Sequence, residues 1–311
     1  MNNKIDYVFI GVGTGGTITG IAKFLKEKDP SIKVIGVDTI GSILSRPKSM
    51  NTVDKMYKIE GIGQGCLPRI LDHSLIDGWV KTDDEEAFKY ARRLIREEGL
   101  FVGGSCGSAA LGMIKYIKEN KIDNENLRCV LFLPDGVRNY MSKYLQDEWM
   151  VGNGFIKGEE ALEIMTKQLD LTNPHSLLLV NKTIADYPIF KAVPYHDTRM
   201  TISDCFDTFK KGVTVIPIRD KGEILGVIEK THLLKALLDK GVEKSHSCSH
   251  ALSKNYFLID ASTPLIVIEK LLRVNSSVLV AKYVEDKIQE LYCVTQNDIF
   301  NILEHNLKEY L

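Results

Sequence analysis

Apolar and polar positions fall into two textures along the 311 residues. From residue 6 to about 148, short apolar runs closed by glycine or aspartate ("DYVFIGVG", "KVIGVD", "CVLFLPDG") alternate with segments whose apolar residues recur every three to four positions ("TITGIAKFLKEKD", "DEEAFKYARRLIREEG", "SAALGMIKYIKENK"). Unbroken apolar strands predict burial on both faces, and the helical segments between them supply the cover, so this part reads as α/β with a parallel sheet. From about 186 the pattern repeats. "DTRMTISDCFDTFKKGVTVIPIRDKGEILGVIEKTHLLKAL" and "ASTPLIVIEKLLRVNSSVLVAKYVEDKIQELYCVTQNDIFNIL" share one order: polar opening, amphipathic helix, apolar strand, charged turn, second strand, helix. Two copies of a β-α-β-β-α unit predict a pair packed face to face. The stretch between has no strand pattern. The expected organisation is therefore 1–148, a linker over 149–185, and a repeat domain over 186–311.

Composition changes this picture little. A net charge of −1 offers no general attraction to nucleic acid or acidic lipid, and 44% hydrophobic content suits packed cores. The start "MNNKIDYVFI" has neither a basic region nor a signal-length apolar run, and there is no stretch of 18 apolar residues, so the expected place is the cytoplasm, with no membrane role. Cys66, Cys106, Cys129, Cys205, Cys248 and Cys293 lie far apart, without C-x-x-C spacing. They read as scattered thiols, with no metal expected.

Candidate chemistry lies in two glycine loops. In "VFIGVGTGGTITG", Gly11, Gly13 and Gly16 spell G-x-G-x-x-G between a strand and a helix, and Asp38 ends the following strand. One reading is a dinucleotide site with Asp38 on a ribose; the other is a cradle for a single phosphate, made of helix N-terminal amides. The second loop, "FVGGSCGSAALG", sets Ser105 and Ser108 among Gly103, Gly104 and Gly107 at another helix start. One phosphate clamp with one hydroxyl suits a compact heterocycle, whereas a dinucleotide needs an extended trough.

These residues carry a resemblance. "GVGTGGTITGIA", "VIGVDTIGSI", "EGIG", "WVKTDDEEAFKYARRLIREEGLFVGGSCGSA" and "LPDGVRNYMSKYLQDEWM", followed by a repeated pair, resemble the carboxyl-terminal part of the cystathionine β-synthase family over nearly the whole chain. The resemblance implies a partial parallel sheet of a fold-type II pyridoxal phosphate (PLP) enzyme, followed by a tandem CBS-domain (Bateman) regulatory module. It implies β-replacement joining serine and homocysteine into cystathionine, in transsulfuration and cysteine biosynthesis. PLP would be held at its phosphate by Gly13, Thr14, Gly15, Gly16 and Thr17 and at its pyridine nitrogen by Ser105, where a neutral hydroxyl tempers the ring's electron demand. Glu60, Gly61, Ile62 and Gly63 correspond to a loop over the substrate. The aromatic residue expected after this loop is replaced by Gln64.

In this family the lysine that bonds PLP lies upstream of the first glycine loop, where this sequence offers only Lys4. Lys4, Lys33, Lys81 and Lys143 read as surface charge, so no catalytic residue is assigned. The expectation is an incomplete or split chain that associates with a lysine-bearing half or forms a homo-oligomer, because its sheet would otherwise leave an edge open. In the repeat pair, Thr295 and Asp298 fall where such modules hold the ribose of an adenosyl ligand, which points to S-adenosylmethionine as effector. His232 occupies the Asp298 position in the first copy, and an N-cap role for Thr295 and Asp298 is the competing reading. The alternative to an enzyme is a non-catalytic regulatory protein that binds an adenosyl ligand.

Overall fold

In a computed structural model the chain divides into two compact units, 1–145 and 146–311. The structure describes residues 4–309 apart from 54, 123, 168–171, 221, 240 and 286. In the first unit the order is β1 (Tyr7–Gly11), α1 (Gly16–Lys28), β2 (Lys33–Thr39), β3 (Gly78–Thr82), α2 (Asp84–Glu98), α3 (Gly104–Glu119) and β4 (Cys129–Leu131). The strands form one parallel sheet in the order β3-β2-β1-β4, with Tyr7–Gly11 in register with Lys33–Val37. Alternate side chains go to opposite faces, as the two-residue period of a strand requires. Val8, Ile10 and Val34 pack with Ile18 and Ala22 of α1, while Phe9, Ile35, Val37 and Val80 pack with Met113, Tyr116 and Ile117 of α3. The parallel α/β expectation holds.

Strand β3, "GWVKT", goes beyond the strands the pattern predicted. Its Lys81 looks like a solvated charge in the sequence but is largely buried: Nζ donates to Asp38 Oδ2 at 2.7 Å, Ser42 O at 2.7 Å and Thr39 O at 3.0 Å. Asp38 has no exposed surface and also accepts from Thr39 N, Ser45 N and Ser45 Oγ. This carboxylate is consumed in fixing the turn after β2, and the dinucleotide reading loses its ribose acceptor. Lys33, by contrast, is exposed as expected, 3.4 Å from Asp77.

In the second unit the elements are α4 (Asp147–Gly152), α5 (Gly158–Thr166), α6 (Pro174–Asn181), α7 (Ile202–Lys210), β5 (Val215–Asp220), β6 (Glu223–Glu229), α8 (Lys230–Asp239), β7 (Leu258–Asp260), α9 (Leu265–Leu272), β8 (Ser277–Val284), β9 (Lys287–Thr295) and α10 (Gln296–Glu309). The stretch 149–185, expected as a linker, thus holds the helices α4, α5 and α6, which pack against α9. The later elements follow the repeated order. β7 runs parallel to β8, which pairs antiparallel with β9; in the first copy β5 pairs antiparallel with β6, and the opening strand is reduced to a parallel bridge from His196 to Ile218. The two sheets share a core in which Val215, Ile224 and Val227 meet Leu279, Ala281 and Leu291.

Candidate functional site

Three loops converge at the carboxyl end of β1. Gly15 has a φ of +88°, left-handed backbone that favours glycine, and a Cβ there would lie 2.6 Å from the Leu71 side chain. Gly13 passes so close to the 60–63 loop that an added Cβ would sit 2.6 Å from Gly61 O. The same loop is tied to the first by Gly63 N donating to Val12 O at 2.8 Å, and Ile62 packs over Gly11. A Cβ on Gly61 would fall 3.7 Å from Ser105 Oγ, and Ser105 is only 4% exposed. The candidate residues Gly13, Gly61, Ile62, Gly63 and Ser105 are therefore brought together, and the narrow passage between them is one that Cβ atoms would fill.

The electrostatics of the helix starts differ in a telling way. Helix α2 begins with Asp83 accepting from Glu86 N, and carries Asp84, Glu85 and Glu86 in its first turn. Helices α1 and α3 have no side-chain cap and no acidic residue in the first turn. At α1 the N-terminal amides are left for another acceptor and no first-turn carboxylate offsets the helix dipole, whereas at α3 the Asp135 carboxylate lies against Gly103. Thr14 and Thr17 are exposed beside the α1 amides, and Gly16 is half-buried.

Not every hydroxyl or cation singled out in the sequence faces this place. Ser108 is fully buried and its Oγ lies 2.6 Å from Thr82 Oγ1, so it joins α3 to β3 rather than offering itself to a ligand. Lys143, expected as a surface charge, pairs with Glu60 at the head of the 60–63 loop. Lys4 is exposed and donates to Asn126 O.

The sequence reading missed Asp135. Gly103 N donates to its carbonyl, Tyr140 Oη donates to its Oδ2 at 2.6 Å, and Cys106 Sγ lies 3.4 Å from Oδ1. A Cβ on Gly103 would collide with this carboxylate. Burial pushes the Cys106 thiol up to about 11, which makes it inert as a nucleophile. The signal for Asp135 was the "LPDG" turn itself, polar residues at the end of an apolar strand.

In the second unit, Thr295 and Asp298 meet each other: Asp298 Oδ2 accepts from Thr295 N at 2.8 Å and Thr295 Oγ1 at 2.6 Å. Thr295 and Asp298 thus pair with each other at the start of α10. Beside it lies an open groove of about 560 Å³ lined by Arg273, Asn275, Ser276, Thr295, Gln296 and Asn297 among others. A much smaller space of about 10 Å³ lies between Glu229 of the first copy and Tyr256, Phe257 and Asn275 of the second. There His232 Nδ1 accepts from Glu229 N, while Glu229 reaches Ser276 Oγ at 2.9 Å.

Comparison with known proteins first gives a class. Residues 1–135 match the family described as pyridoxal-phosphate dependent enzyme. More particular relatives are similar over almost the whole chain. Cystathionine beta-synthase of Dictyostelium discoideum is 36% identical over 306 residues, 96% of this chain and 58% of that protein. The protein of the same name from Oryctolagus cuniculus is 37% identical over 93% of this chain and 50% of its own length. That of Saccharomyces cerevisiae is 31% identical over 97% and 63%. The chain spans about half to three-fifths of the curated relatives it matches.

Proposed function

We propose that the first unit is the carboxyl-terminal part of a PLP-dependent catalytic domain of the cystathionine β-synthase kind, and that it serves a β-replacement joining serine and homocysteine. The observation that carries this reading is the convergence of Gly13, Gly61 and Ser105 between two helix N-termini that have no caps of their own. PLP, when bound, supplies the electron sink that lets a substituent at the β-carbon of an amino acid leave and be replaced.

The chain's own residues do the holding. Backbone amides of Gly13 to Thr17 take the phosphate, helped by the α1 dipole. Ser105 Oγ would hold the ring nitrogen without adding a formal charge there. The 60–63 loop, pinned by Gly63 to Val12, would border the bound group and help keep water from it. The lysine that bonds PLP comes, in this reading, from a lysine-bearing half. Among the lysines considered, Lys81 is committed to Asp38, Lys143 to Glu60, and Lys4 is exposed. Of the two edge strands, β3 and β4, the one proposed to take that half is β4, whose three residues are all only partly buried. The test is co-expression with an amino-terminal half carrying the lysine. A yellow complex that makes cystathionine is expected; a chain that never co-purifies, or one that alone fixes PLP on a single lysine under borohydride, contradicts it.

A second reading has its own observation, the open groove beside Thr295. In it, the 186–311 part is a tandem CBS-domain module that binds S-adenosylmethionine, and the chain regulates without catalysing. Releasing Asp298 from Thr295 would free a carboxylate for two ribose hydroxyls. Asp298→Ala then weakens binding about tenfold or more, as loss of charge-assisted bonds does, while His232→Ala leaves it nearly unchanged. Calorimetric titration of the full chain reads both; no binding at millimolar ligand removes this reading.

A further inference from the structure

Asp84 occupies the first position of α2, one residue inside the Asp83 cap. Capping does not need it, because Asp83 already accepts from Glu86 N at 3.0 Å. Its carboxylate turns elsewhere: the backbone N–H groups of Lys58 and Ile59 donate to it, and its other oxygen, Oδ1, is shut off from solvent with no hydrogen-bond partner. An unpartnered buried carboxylate oxygen is costly, and one retained in a folded chain calls for an explanation. Burial pushes this carboxyl above its ordinary range, against the pull of the two backbone bonds.

Lys58 and Ile59 lead directly into Glu60 and the loop that meets Gly13 and Ser105. The strap before that loop is closely fitted: Lys55 O would lie 1.9 Å from a Cβ on Gly41, and the Tyr57 ring packs over Gly63 at 2.9 Å from its would-be Cβ. Ile59 is buried, while Glu60 and Gly61 are exposed. The buried end of the strap is thus where a fixed acceptor can set the loop's height above the glycine cradle.

We propose that Asp84 is a positioning residue: its carboxylate anchors Lys58 and Ile59 and so fixes the 60–63 loop against Gly13 and Ser105. This deepens the PLP reading and rests on it only for the ligand part of the test. Hydrogen exchange of the full chain tests the anchoring without any ligand. Asp84→Ala should speed exchange at residues 58–63 by about tenfold or more, as expected when charge-assisted bonds are lost, and leave residues 85–88 protected by Asp83. Asp84→Asn, which keeps an acceptor without the charge, should fall between and serves if the alanine variant does not fold. Its overall stability should match or exceed that of the unchanged chain, since the buried charge is gone. Faster exchange confined to 85–88, with 58–63 unmoved, overturns the proposal by making Asp84 an ordinary helix-start residue. PLP titration then adds the second readout: weaker binding in both variants supports a loop set for the ligand, and unaltered binding despite a loosened loop overturns that part. Absence of PLP binding in the unchanged chain would count against the site, not against the anchor.

Discussion

On one side of β1 lies β2, buried at six of its seven residues; on the other lies β4, whose three residues are all only partly buried. Both are apolar runs of the kind that parallel sheets cover on two faces, "KVIGVDT" and "CVLFL". Their surroundings differ. Beyond β2 stands β3, and the buried Asp38–Lys81 pair locks the turn between them; beyond β4 no strand follows among the described residues. Both β3 and β4 are edge strands, but β4 pairs directly with β1, so the candidate site lies at the end of a strand that has a buried, doubly paired neighbour on one side and an edge strand on the other.

Breaking the β2–β3 side should cost most. Lys81→Met leaves Asp38 buried with no cation, and removal of one partner from a buried pair costs about 3–5 kcal/mol. Urea denaturation reads this, and a loss below about 1 kcal/mol would show that the pair is solvated. Next in size, Ile35→Ala on β2 should cost about 2–5 kcal/mol, as other large-to-small changes in cores do, whereas Leu131→Ala on β4 should cost about 1 kcal/mol or less. Equal losses would mean that β4 is as enclosed as β2. Joining to a lysine-bearing half should raise the Leu131→Ala cost and leave that of Ile35→Ala unchanged.

Much of this was legible beforehand. The two glycine loops, the helices α1 to α3 and the repeated order after residue 186 follow from strand runs, helical period and turn residues. What escaped the pattern depended on contacts distant in sequence. Strand β3 was hidden by Lys81, whose charge is neutralised by a residue 43 positions away. The helices α4, α5 and α6 are short, with Gly152, Gly154 and Gly158 around them, and they take shape by packing on α9. Asp38 looked like a ribose acceptor because position alone says nothing of burial. The site loop 60–63 was recognised by resemblance; its closeness to Gly13 and Ser105 belongs to the fold.

A smaller effect concerns pH. Asp84 has its carboxyl raised by burial, so the folded chain binds that proton more readily than the unfolded one. Its contribution to stability is full below the ordinary carboxylate range and is lost as pH rises through the raised value. The stability of the unchanged chain relative to Asp84→Asn should therefore fall as pH is raised from about 4 towards neutrality, tracked by urea midpoints. A relative stability of the unchanged chain that rises with pH would mean that the charged form is favoured by folding.

The central claim is that the Gly13–Gly61–Ser105 convergence holds a phosphate-bearing heterocycle. The most direct measurement is a calorimetric comparison of PLP with pyridoxal, its counterpart without the phosphate, on the unchanged chain, on Gly13→Val and on Ser105→Ala. PLP should bind well above pyridoxal. That preference should be lost in Gly13→Val, whose Cβ meets Gly61 O at 2.6 Å, and PLP binding should decline about fivefold in Ser105→Ala. Equal affinity for PLP and pyridoxal, or a preference untouched by Gly13→Val, would contradict it.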